Sequence, residues 1–92
     1  MSMTEATDLM TPFITISGDK RETLINDRVD CLTPLREAMK RMCHTMPNGR
    51  NYIGHSDAYE RDRAIYAERY KTLQNLHDDI LHEAMSIQLK GE

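Results

Sequence analysis

Apolar residues recur along two stretches of this chain at helical spacing. Ile25, Val29, Leu32, Leu35, Met39, Met42 and Met46 follow one another at steps of three and four, which is the single stripe of an amphipathic helix. From Asp57 to about Leu89, Tyr59, Tyr66, Leu73, Ile80 and Ile87 repeat every seven residues, with Tyr70, Leu76, His77 and Ala84 on adjoining positions. That pattern is a seam for another helix, some ~50 Å long at 1.5 Å per residue. Asp19 with Glu22, and Asp57 with Glu60, have capping-box spacing and mark two helix starts. Pro34 interrupts the first stripe. Either the helix kinks there, losing the bond to the Asp30 carbonyl, or a new helix begins with Thr33 as cap and Pro34 at its first position. The stripe stays in phase across the proline, which favours one kinked helix.

Between the two stretches, Met46-Pro47-Asn48-Gly49-Arg50-Asn51-Tyr52 carries the strongest turn signal, a Pro followed by an Asn-Gly pair that tolerates positive φ. A loop of roughly ten residues here folds the helices back on each other. Upstream, Phe13-Ile14-Thr15-Ile16-Ser17 is β-branched and aromatic and is ended by Gly18, so it reads as one short strand or extended arm. A lone strand must lie across the helices, pair with its equivalent in a second chain, or add to a partner's sheet edge. Residues 1–12 are polar and without period, a flexible tail. The expected fold is mainly α: an antiparallel αα-hairpin of two long helices with a short N-terminal β-strand or extended arm, forming a single domain over residues 13–92. Two such hairpins could make a four-helix bundle.

Size limits what this domain does alone. The chain has 92 residues, no Trp, one Phe and seven Met, and at this length only about 60 to 65% of the unfolded surface is buried. Met fills gaps but specifies packing loosely, so the core is thin and favours completion by a partner or a second copy. The net charge of −3 conceals an uneven layout. Residues 1–35 hold six acids and three bases, residues 36–71 eight bases and five acids, and residues 72–92 four acids and one base. A hairpin closing near Pro47 therefore has a positive tip and a negative base, unless solvated faces have merely scattered charge unevenly. Cys31 and Cys43 form no C-x-x-C and read as reduced thiols near a core. No basic region followed by an apolar stretch opens the chain, and no run is long enough to span a bilayer, so the expected protein is soluble and cytoplasmic, with no membrane partner.

Catalytic and cofactor patterns are missing from the sequence. His82-Glu83-Ala84-Met85-Ser86 begins like H-E-x-x-H but places Ser where the second His must stand. Asp78 and His82 are four apart, yet two ligands on one helix do not make a zinc site. His77 sits on the seam as a hydrogen-bonded core residue or a dimer contact. There is no nucleophile elbow and no phosphate-binding glycine loop, and Cys43 and His44 point about 100° apart on a helix. The chain reads as non-enzymatic, with no catalytic residue, metal, cofactor or small-molecule substrate.

The tip carries the candidate site. Lys40, Arg41, Arg50, Arg61 and Arg63 gather around the turn with Tyr52 among them, and His44, His55 and Tyr59 lie nearby. Arg and Tyr dominate interface energetics, contact phosphates and stack on bases. A purely structural role fits the same residues: Asn48-Gly49 closes the first helix, Arg50 bonds its last carbonyls, and Tyr52 covers the open end of the core.

The order of an F-I-T-I-S-G-like strand, a capped helix, P-N-G-R-[DN]-Y and a long charged helix resembles small open reading frames of bacteriophages and prophages, from Phe13 to about Ile87. Where that pattern has Asp, this chain has Asn51, so no carboxylate stands there. In size and character the chain is similar to anti-CRISPR proteins that inhibit the type I-F complex. The resemblance implies a phage protein in the cytoplasm of an infected bacterium. Its partner there would be a host protein or nucleoprotein, Cas proteins with crRNA, whose recognition of target DNA it blocks. Two other readings fit the sequence: a homodimeric phage structural or assembly protein joined along the Tyr59 to Ile87 seam, and a small nucleic-acid-binding regulator.

Overall fold

The computed structural model describes residues 9–15 and 18–89. Helix α1 spans Arg21–Met42 and helix α2 spans Ser56–Leu89, linked through 3-10 turns at Cys43–Thr45 and Gly49–Tyr52. The helices pack on each other as an antiparallel hairpin: Arg28 meets Glu83 near one end, and Arg36 meets His77 further along. The molecule measures 64 × 26 × 17 Å, one layer of helices thick. No described helix is long and apolar enough to cross a membrane.

The ends of the helices differ from the sequence expectation. Lys20, in extended conformation, is the N-cap of α1, with its carbonyl accepting from the Leu24 amide at 3.1 Å, and no side chain caps the helix. Asp19 therefore stands one position too early to close a capping box with Glu22. At α2 the His55 carbonyl accepts from the Tyr59 amide at 3.1 Å and the helix begins at Ser56. Asp57 is thus already inside the first turn, where its charge complements the helix dipole, and is not a cap. Pro34 lies inside a continuous α1, which removes the reading of a fresh helix at Thr33. Asp30 and Pro34 are both exposed, so water can hydrogen-bond the carbonyl that the proline leaves free.

Among the described residues there is no strand. Residues 13–15 of the expected strand belong to no strand or helix, and residues 16–17 lie outside the described residues, as do residues 1–8 of the expected tail. The part of that tail that is described, residues 9–12, runs against the hairpin, where the Met10 amide donates to Glu83 Oε1 at 2.8 Å.

The seam follows the heptad. Tyr59, Tyr66, Tyr70, Leu73, His77 and Ile80 are half-buried, and Ala84 and Ile87 are buried against a stripe of α1 centred on buried Leu32. Two positions of the pattern fall off its edges: Val29 is 44% and Leu76 47% exposed. Both cysteines are exposed free thiols: Cys31 falls on a flank of the α1 stripe, whereas Cys43 stands beside the half-buried Met39, Tyr66 and Tyr70.

At the base, packing has buried a charge. Glu83 is only 5% exposed. Its Oε2 accepts from Arg28 Nε at 2.5 Å, and Arg28 also donates to the Leu24 carbonyl at 3.0 Å. With Met10 on its other oxygen, the carboxylate is satisfied on both sides. Breaking a buried pair by removing one partner costs about 3–5 kcal/mol, whereas replacing both by apolar groups is often neutral. Glu83→Ala should therefore destabilise the chain by about 3 kcal/mol in urea unfolding, while Arg28→Met with Glu83→Leu should recover most of the loss. A double variant as weak as the single would mean that the ion pair itself, not the relief of an orphaned charge, holds the base.

Candidate functional site

The connection at residues 43–55 does more than reverse the chain. From the level of the Arg28–Glu83 and Arg36–His77 contacts, α1 ends opposite about Tyr70, so α2 continues some ~20 Å further, at 1.5 Å per residue, with no helix beside it. The connection runs along that stretch and covers it. Thr45 Oγ1 donates to the Met42 carbonyl at 2.8 Å and closes α1. Asn48 then organises the second 3-10 turn: its Oδ1 accepts from the Arg50 amide at 2.9 Å and Arg50 Nε at 3.3 Å, and its carbonyl accepts from the Asn51 amide at 2.9 Å. Asn48-Gly49 thus starts a turn and does not close the first helix, and Arg50 bonds Asn48, not the last carbonyls of α1.

The chain enters α2 through Tyr52–His55, where Ile53 has φ −57° and ψ 125°, Gly54 has φ 79°, and the His55 amide donates to the Tyr52 carbonyl at 2.7 Å. These angles define a type II turn, which needs positive φ at its third residue. The positive-φ position that the sequence placed at Asn48-Gly49 is therefore Gly54.

Tyr52 docks the connection onto α2. Its hydroxyl donates to Asp62 Oδ2 at 2.7 Å, and its ring lies 5.3 Å from that of Tyr59, tilted by 51°. Arg61 Nη2 reaches Asp62 Oδ1 at 3.0 Å, and the Arg63 guanidinium lies 5.7 Å from the centre of the Tyr59 ring. An open cavity of about 220 Å³ between connection and helix is lined by Thr45, Pro47, Tyr52, Asp62, Ile65, Tyr66 and Arg69. Asp62 is the organising residue that sequence reasoning missed. Its only signal was an acid set among arginines on the first turns of α2.

The candidate residues divide. Tyr52, Arg61 and Arg63 come together around Asp62 and Tyr59, and Arg50 is on the same connection. Lys40 and Arg41 stay on α1: Arg41 pairs with Glu37 at 3.1 Å, and Lys40 lines a separate groove with Met39, Cys43, Met46, Tyr66 and Tyr70. The positive field is also weaker than a count of bases suggests. Glu37, Asp62 and Glu60, the last at 3.8 Å from Arg63, offset three of the five. Lys40 and Arg50 have no acidic partner among the described residues.

His77 on the seam accepts from Arg36 Nε at 3.1 Å through Nε2, which places its proton on Nδ1, donating to Asp78 at 3.1 Å. Among the described residues no cluster of three or more His, Cys, Asp or Glu side chains is arranged to hold a metal ion.

Two predictions follow from the way the connection is held. Gly54→Ala should destabilise the chain by about 1–2 kcal/mol, because a Cβ is unfavourable at that φ. Gly49→Ala, where no atom lies within 4 Å of a Cβ, should be neutral or slightly stabilising in the same thermal melt. The second concerns pH. The hydrogen bond from Tyr52, then that from Arg61, holds the Asp62 carboxyl below the usual carboxylate range. The bond to Asp62, then partial burial, raises the Tyr52 phenol. Asp62 thus contributes stability that is complete above about pH 4 and lost as pH falls through its lowered value, while Tyr52 contributes below about pH 10 and loses it as pH rises further. Denaturant midpoints should fall more steeply below pH 4 for the wild type than for Asp62→Asn; equal slopes would leave the pair without a share in stability. The chain has no match among known protein families, characterised proteins or solved structures.

Proposed function

We propose that this chain is a non-enzymatic phage protein that acts by occupying the surface of a host nucleoprotein. The target to which the sequence resemblance points is a crRNA-guided surveillance complex, whose binding of target DNA it would block. The observation that supports the reading is Arg50. Its backbone and Nε are fixed by Asn48 Oδ1, while the rest of the guanidinium is exposed and meets no acid among the described residues. A guanidinium held on a rigid turn loses little freedom on meeting a phosphate or carboxylate, which is the general advantage of preorganisation. Ile53 stands three residues on and is 80% exposed, so the tip presents an apolar contact beside the charge. Arg61 and Arg63 flank this pair as rim charges, partly offset by their own acids, and such charges steer association more than they tighten it.

The experiment is a pull-down of the purified chain with a type I-F crRNA complex, followed by a target-DNA binding assay on whatever is retained. Stable association with loss of DNA binding is the expected result. Arg50→Glu should then weaken association by about tenfold or more, equivalent to about 1.4 kcal/mol, with an unchanged helical circular dichroism spectrum. Equal binding by that variant would remove the tip from the mechanism. Failure of the wild type to associate would overturn the target. Binding of free duplex DNA with a steep salt dependence would favour the nucleic-acid regulator instead.

A further inference from the structure

The hairpin is one layer thick, 17 Å across its short dimension, and among the described residues only Leu32, Ala84 and Ile87 are buried apolar side chains. Domains ordinarily bury such a seam between two layers. The chain exposes 7290 Å², whereas a compact monomer of its mass exposes about 5,500 Å². The difference is roughly twice the ~800 Å² that each partner buries in a standard stable interface.

One broad face already has a cover at its base, where the Met10 amide bonds the Glu83 carboxylate that also holds Arg28. The opposite face has none among the described residues. Along its α1 edge, Val29, Arg36 and Cys43 recur every seven residues, and Cys43 still has helical dihedral angles. Val29 is 44% exposed at one end of this edge. At the other end Met39, Lys40, Cys43, Met46, Tyr66 and Tyr70 line an open groove of about 530 Å³. Between the two, Arg36 Nε donates to His77 of its own hairpin.

We propose that this face is the interface between two copies of the chain, stacked antiparallel about a two-fold axis near Arg36, with Val29 of each copy seated at the partner's Met39–Cys43 groove. Charge selects the orientation. Residues 36–71 hold a surplus of three bases, and the segments before and after them each hold a surplus of three acids. A parallel pair sets like ends together, whereas the antiparallel pair lays each basic end on the other's acidic base. A two-fold axis at Arg36 relates positions seven before and seven after it, so the exposed valine and the open groove meet twice in one self-complementary contact. Because α2 and the connection extend well beyond the level of Met42, each tip overhangs the partner's base and Arg50 stays accessible. The inference therefore stands whatever the target of the tip is.

The 92-residue chain in light scattering should have twice the mass of 10.7 kDa at micromolar concentration, and Val29→Lys should return it to the monomer mass with its helical spectrum kept. Val29→Cys in a Cys31→Ser background should form a covalent dimer on mild oxidation, and the further change Cys43→Ser should abolish it. Wild-type Cys43 should not cross-link to its own copy, since the two thiols lie about 21 Å apart along the helices at 1.5 Å per residue. A monomeric wild type would overturn the proposal, and so would a dimer that survives Val29→Lys or fails to cross-link in this way. Arg50→Glu should leave the mass unchanged, which keeps failure of the dimer distinct from failure of the tip.

Discussion

Two helices of unequal length can share a seam only along the shorter one. Here α1 has 22 residues and α2 has 34, so the first turns of α2 need some other cover. The connection supplies it, and most of its chemistry serves that end. Thr45 stops α1, Asn48 starts a new turn, Tyr52 anchors to Asp62 and Tyr59, and Gly54 takes the one backbone conformation among the described residues that a side chain would oppose. The aromatic and basic residues at the tip are therefore first of all the lid of a helix end. Any binding they do is superimposed on that structural role, and Arg50, whose side chain is hydrogen-bonded to Asn48 and is exposed, is the one least committed to it.

The opposite end solves a different problem. An acid at position 83 lies close to the seam residues Ile80, Ala84 and Ile87, and a carboxylate there is buried unless the chain ends. Arg28 neutralises it from α1, and the Met10 amide takes its second oxygen. The pair fixes the register of the helices, because sliding one past the other by a turn would leave Glu83 buried without its guanidinium. A Met-rich seam alone would tolerate such sliding.

The seam was legible in the sequence because it rests on spacing. Leu32, Leu73, Ile80, Ala84 and Ile87 all face inward, as the three, four and seven steps require. Val29 and Leu76 were read as seam residues and lie at its edges, since a heptad drifts by about 20° per repeat on a straight helix. The capping boxes failed for a related reason: Asp19 stands one position before the N-cap of α1 and Asp57 two positions after that of α2, and a pattern of residue types does not fix that position. The Tyr52–Asp62 contact was not legible, because it depends on the path of the connection over α2, and no local spacing encodes that path. Glu83 was hidden because a charged residue is assigned to solvent until its partner is known, and Arg28 is 55 residues away in the sequence.

The charge layout gains a different meaning once the side chains are placed. Three of the five tip bases have an acid within 4 Å, so the tip is not a phosphate-binding patch of the kind that grips a duplex through many unpaired cations. Exposed pairs of this sort are individually weak and screened by salt. What remains is a long, one-layer rod with opposite polarity at its ends and one isolated guanidinium, held by Asn48, at the positive one. The polarity acts over the length of the molecule and suits an arrangement of whole helices, while the guanidinium acts at a point and suits a single desolvated contact. The two proposed contacts are compatible because they would use different surfaces, the broad face for a second copy and the overhanging tip for a partner.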